Sequence, residues 1–133
     1  MIQSLRNNAW LAFVAIGLYP LTWALGLCVP CMQADHWNWL TQDPQVLAYL
    51  SSTWRLLSSI AVGLGAFTIV LAATAYRRGE KWVWFLFWYW PIFLTVYIPT
   101  VHPWTWPITV PLWVATILAQ AVSARRALAT PRP

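Results

Sequence analysis

The chain has 133 residues, of which 60% are hydrophobic and only 8% charged, with a formal charge of +5. A soluble domain carries about a quarter charged residues, so this composition excludes an ordinary water-soluble fold, and the length leaves no room for a soluble module beside a membrane domain. A basic balance can mark a nucleic-acid binder, but the distribution of these charges points to membrane topology, and no nucleic-acid partner is expected.

Four stretches, residues 9–27, 56–76, 82–98 and 104–122, are each close to the roughly 20 apolar residues that cross about 30 Å of hydrocarbon. The expected fold is all-α: an integral membrane bundle of four transmembrane helices forming a single domain over residues 1–133. The first span follows Arg6 and contains Pro20. Its apolar run is longer than a signal-peptide core, and three more spans come after it, so it reads as an uncleaved helix.

The first span exits into Cys28-Val29-Pro30-Cys31, with His36 five residues on. Two cysteines separated by two residues can close a disulfide in an oxidising compartment. So short a ring removes little chain entropy, which makes a purely structural staple a weak explanation and a redox pair a stronger one. Arg55 is the candidate to stabilise a thiolate there. Cys28, Cys31 and His36, together with His102 from the loop before the last span, also have the composition of a tetrahedral zinc site. The fourth ligand would require two loops to meet, and no metal site is assigned.

The second helix announces its start at Asp43-Pro44, an N-cap acceptor before a proline at the first helical position. From residue 44 to Tyr76 it would run about 50 Å at 1.5 Å per residue, more than a bilayer needs, so its first turns extend outward. Arg77-Arg78-Gly79 ends it, with basic residues at the carbonyl end and a glycine for the turn. Ser58, Gly65 and Ala72 recur every seven residues, with Ala61, Thr68 and Ala75 offset by three. In lipid, helices associate through such small residues, so this stripe marks the packed face. Ala115, Ala119 and Ser123 repeat the device on the fourth span beside Gln120. The stripes pack the four helices of one chain or, alternatively, form a homo-oligomer seam.

Twelve tryptophans divide into two groups. Trp10, Trp82 and Trp84 on one side, and Trp37, Trp39, Trp54, Trp104 and Trp106 on the other, suit the aromatic belts of the two interfaces. Trp23, Trp88, Trp90 and Trp113 fall deeper. Pro20, Pro91, Pro107 and Pro111 interrupt three spans and predict kinks. Kinked, tryptophan-lined helices can enclose a flat lipophile such as a quinone, so these four tryptophans, with His36 and His102 at the outer end, are the candidate ligand-binding residues. Aromatics that merely fill their own kinks are the alternative.

With four crossings, Arg6, Arg77, Arg78, Lys81, Arg125, Arg126 and Arg132 fall on one side and only Arg55 on the other. The positive-inside rule then places both termini and the residue 77–81 turn in the cytoplasm, against anionic lipid headgroups. No carboxylate lies within a span, which argues against an ion-coupled transporter.

The topology and Cys28-Val29-Pro30-Cys31 resemble the DsbB and vitamin K epoxide reductase group of four-helix membrane thiol oxidoreductases. That resemblance implies a redox role for Cys28 and Cys31, with a quinone as electron acceptor. The group relays electrons through a second cysteine pair, whereas this chain has two cysteines, and the loop that would hold the second pair carries His102. The stretch from Asp43-Pro44 through Arg77-Arg78-Gly79-Glu80-Lys81-Trp82-Val83-Trp84 also looks like small bacterial four-helix membrane proteins, which implies topology alone.

The expected function is therefore that of a small multi-pass protein of a bacterial plasma membrane, non-enzymatic, binding a lipophilic molecule or serving as accessory subunit of a larger membrane complex. A thiol-disulfide oxidoreductase using Cys28 and Cys31 is the alternative.

Overall fold

The computed structural model describes residues 7–26, 28–100 and 103–128. His102, Arg6 and Arg132 lie outside them, as do the side chains of Cys28, Trp104, Arg125 and Arg126. Among the described residues the chain is helical, without strands. Helix α1 spans Trp10–Gly26 and the short α2 spans Cys28–Cys31; a 3-10 turn, Ala34–Trp37, comes next. Helix α3, Pro44–Leu71, continues through a π turn at Ala72–Tyr76. Helices α4, Lys81–Leu86, and α5, Tyr89–Tyr97, form the third span with the 3-10 turn Ile98–Thr100, and α6 covers Trp106–Leu128.

Three stretches are long and apolar enough to cross a membrane: Pro44–Tyr76 with 33 residues, Lys81–Thr100 with 20 and Trp106–Ala124 with 19. Trp10–Gly26 is apolar but shorter, at 17 residues.

Both ends of the long second helix form as its sequence dictates. Asp43 Oδ1 accepts the Gln45 N–H at 2.8 Å, which satisfies one of the orphan donors of the first turn. At the other end Gly79 adopts φ 81°. The Glu80 N–H reaches the Ala75 carbonyl at 3.1 Å and the Gly79 N–H the Tyr76 carbonyl at 2.9 Å, the paired bonds of a Schellman turn.

The π turn changes which side chains face inward. The Arg77 N–H bonds to the Ala72 carbonyl, five residues back, so the turn holds one residue more than an α-helical turn. An extra residue rotates the remainder of the helix by roughly 100°. Tyr76 is thereby buried at 6% exposure, while Arg77 stands exposed.

The third span breaks one turn before its proline. Pro91 has no N–H for the Phe87 carbonyl and its ring crowds that position, so the Phe87 carbonyl accepts instead from Trp90, three residues on, at 3.2 Å. Helix α4 therefore stops at Leu86 and α5 begins at Tyr89, with the α-type bond from the Ile92 N–H to the Trp88 carbonyl at 3.3 Å. The kink expected at Pro91 is thus displaced toward the N-terminus. Pro107 interrupts nothing, because it occupies the first turn of α6, where no donor is missed; Pro111 lies inside that helix.

The chain divides into two compact units. The unit Gly17–Phe67 holds the second half of α1, the segment after it and most of α3. Two helices approach closely at Gly65, where a Cβ would stand 2.5 Å from the Gly17 carbonyl oxygen and 2.9 Å from Leu21 Cγ. Gly65 and Ser58 are buried there. The unit formed by Met1–Ile16 and Thr68–Pro133 contains the rest. Its core holds Phe13, whose ring lies 4.9 Å from Tyr76 and 4.5 Å from Phe87. Thr68, Ala72, Ala75 and Ala119 are buried in this unit.

Candidate functional site

In the Gly17–Phe67 unit, the segment after α1 is tied down by tryptophan and arginine. The Trp37 indole N–H donates to the Cys31 carbonyl at 2.8 Å, and the Arg55 Nε–H donates to the Met32 carbonyl at 3.2 Å. Trp37 stacks on Trp54 at 5.9 Å, and Trp54 lies 5.7 Å from Trp23. The exposed His36 ring meets Trp37 edge-on at 5.2 Å. Arg55 thus bonds the backbone of the residue after Cys31, while the Cys28 side chain lies outside the described residues. Among the described residues no three metal-ligating side chains converge, and His102 lies outside them.

Trp23 therefore sits in one unit, whereas the other tryptophans proposed as ligand-binding sit in the second. Trp90 is buried at 4% exposure. Trp88 is partly exposed and meets Trp84 edge-on at 5.9 Å. Trp113 donates its indole N–H to Thr95 Oγ1 at 3.0 Å, and Thr95 in turn donates to the Pro91 carbonyl at 2.7 Å. That pair joins α6 to the first turns of α5.

Two groups escaped notice in the sequence. The first is an aromatic ladder on α5. Tyr89 stacks on Phe93 at 5.5 Å with 19° between ring planes, and Phe93 on Tyr97 at 5.4 Å with 18°. Tyr89 and Phe93 remain exposed, at 45% and 37%. The signal was the spacing itself: positions four apart share one face of a helix.

The second is a buried polar cluster beneath α4. Ser123 Oγ lies 2.6 Å from the Ala119 carbonyl and 2.6 Å from the Tyr76 hydroxyl, with which it shares a hydrogen bond, and it accepts from the Trp84 indole N–H at 3.2 Å. The Gln120 carboxamide donates to the Trp84 carbonyl at 3.1 Å. Trp84, expected in an interfacial belt, is buried at 8% exposure as a member of this network. Every polar side chain in it has a partner, as a buried network requires. Its work is to lock α4 and α6 to the end of the second span.

No protein-family model, curated protein or solved structure matches this chain.

Proposed function

We propose that the chain is a four-span protein of a bacterial plasma membrane, with both termini in the cytoplasm, that binds a flat lipophilic molecule such as a quinone against its third span. The observation that carries this reading is the ladder Tyr89, Phe93 and Tyr97. Successive rings lie within 19° of parallel, and Tyr89 and Phe93 are exposed along α5. A saturated lipid tail gains only dispersion from such a surface, whereas a conjugated ring can also adopt offset or edge-on aromatic geometry, worth about 0.5–1.5 kcal/mol per ring pair. Because the rings stack on one another, the ladder presents their edges outward, and those edges favour a conjugated guest whose face they meet edge-on.

The test is mass spectrometry and absorbance of protein extracted from its native membrane in mild detergent. A lipophile retained by the natural protein and lost from a Phe93→Leu, Tyr97→Leu double variant supports the proposal. Extraction with no conjugated lipophile, but with stoichiometric partner proteins, would replace it by the accessory-subunit role.

One observation favours a second reading, the thiol oxidoreductase resembling the DsbB group. Arg55 hydrogen-bonds the backbone carbonyl of Met32, the residue after Cys31, which brings a basic residue to the segment that this chemistry would use. In that chemistry the thiols of Cys28 and Cys31 lose two electrons and two protons as the disulfide forms, and a quinone takes both to become a quinol.

A further inference from the structure

At the end of the molecule that holds residues 7–10 and the 77–81 turn, Asn7, Asn8, Trp10 and Arg77 line an open recess of about 380 Å³. That volume lies within the range of small-ligand clefts, about 300–1,000 Å³. Arg77 is fixed in it: its guanidinium carbon lies 5.4 Å from the Trp10 ring centroid, a cation–π contact worth about 0.5–1 kcal/mol at an exposed site.

Arg77 gives the recess a positive charge, and no described acidic side chain lines it. The chain has three acidic residues, Asp35, Asp43 and Glu80. Glu80, the acid on this side, is already taken: Arg78 Nε lies 3.6 Å from Oε1, and the Trp82 indole N–H donates to Oε2 at 2.7 Å. Among the described residues that is the only ion pair. Among the described residues Arg77 has no acidic partner, and a planar guanidinium suits a phosphate through paired N–H···O bonds. The two carboxamides offer both donors and acceptors, which match the hydroxyls of a glycerol group and find nothing to bond in a choline group.

We propose that this recess binds the phosphoglycerol headgroup of an anionic membrane lipid, the phosphodiester on Arg77 and the glycerol hydroxyls on Asn7 and Asn8. The inference rests on the proposed membrane insertion with this end at the cytoplasmic surface. There Trp10 occupies the headgroup layer that suits an amphipathic ring, and the lipid anchors the start of α1 to the end of the second span.

The full chain is first mixed with vesicles of phosphatidylglycerol or of phosphatidylcholine and floated on a density gradient. Lipid retention is then measured by native mass spectrometry for the natural protein and for Arg77→Gln, Arg78→Gln and Asn7→Ala, Asn8→Ala variants. The proposal expects flotation with both vesicles and preferential retention of phosphatidylglycerol. Arg77→Gln should weaken that retention about fivefold, the equivalent of about 1 kcal/mol for one basic residue at an anionic surface. Arg78→Gln, outside the recess and already paired with Glu80, should reduce it less than Arg77→Gln does, and the double asparagine variant should reduce the preference over phosphatidylcholine. Flotation with no headgroup preference, or equal retention by the natural protein and Arg77→Gln, overturns the headgroup site while leaving the membrane reading intact. Displacement of the lipid by millimolar glycerol 3-phosphate would assign the recess to a soluble phosphate and overturn the lipid proposal. Failure to float with either vesicle overturns both readings.

Discussion

Gly65 and Gly17 meet through bare backbone: a methyl group at Gly65 would stand 2.5 Å from the Gly17 carbonyl oxygen, closer than real side chains approach, and 3.2 Å from Pro20 Cγ. The glycine hydrogen in that direction faces the carbonyl, the arrangement of a Cα–H···O contact between helices. Gly65→Leu should therefore lower thermal stability in detergent by about 1–3 kcal/mol, as overpacking does. Gly63, two residues earlier on the same helix, has open space within 4 Å of an added Cβ, and Gly63→Leu should leave stability nearly unchanged. Equal effects of the two substitutions would show that the close approach is absent.

The Tyr76 hydroxyl and Ser123 are the next interaction to break. A double-mutant cycle with Tyr76→Phe and Ser123→Ala should give a coupling of about 0.6 kcal/mol and no more than about 1.7, the range for hydrogen bonds between membrane helices. Denaturant titration of the four proteins in micelles measures it, and strict additivity would contradict the bond.

How much of this was legible in the sequence depended on whether the cause was local. Asp43-Pro44 and Arg77-Arg78-Gly79 mark the ends of the long helix because capping is decided by residues within one turn. The small-residue stripe pointed to the buried face for the same reason, since its spacing is the helix period. The break before Pro91 was displaced because a proline disturbs the carbonyl four residues back rather than its own position. The burial of Trp84 was not legible because its partners, Gln120 and Ser123, lie 36 and 39 residues away. Tyr76 turned inward only through the extra residue of the π turn, which no residue type announces. At the candidate site, the ladder at positions 89, 93 and 97 was present as a four-residue spacing, hidden within a segment where nearly every residue is aromatic.

Asp43 caps the longest helix through a single side-chain bond to Gln45. Asp43→Ala should cost about 1 kcal/mol and raise amide exchange in the first turn of α3 without altering the rest of that helix. Unchanged exchange at residues 45–47 would show that the cap is dispensable.

The two functional readings separate at the cysteines. If the chain binds a lipophile, a Cys28→Ser, Cys31→Ser variant keeps its bound molecule; if it is an oxidoreductase, the variant loses activity, and alkylation in cells before and after a reductant finds the pair cycling between disulfide and dithiol. Thiols that stay reduced in an oxidising compartment, together with an undiminished ligand in the double variant, would remove the redox reading.

Both readings require the chain to cross a membrane four times with its basic ends inside. Reporter fusions in intact cells test this most directly, one inserted after Gln42 and one placed after Pro133. A four-span protein oriented by its basic residues makes the Gln42 reporter accessible from outside and the Pro133 reporter cytoplasmic. A Gln42 reporter shielded from external reagents, or a Pro133 reporter exposed to them, would contradict the topology and every functional proposal built on it.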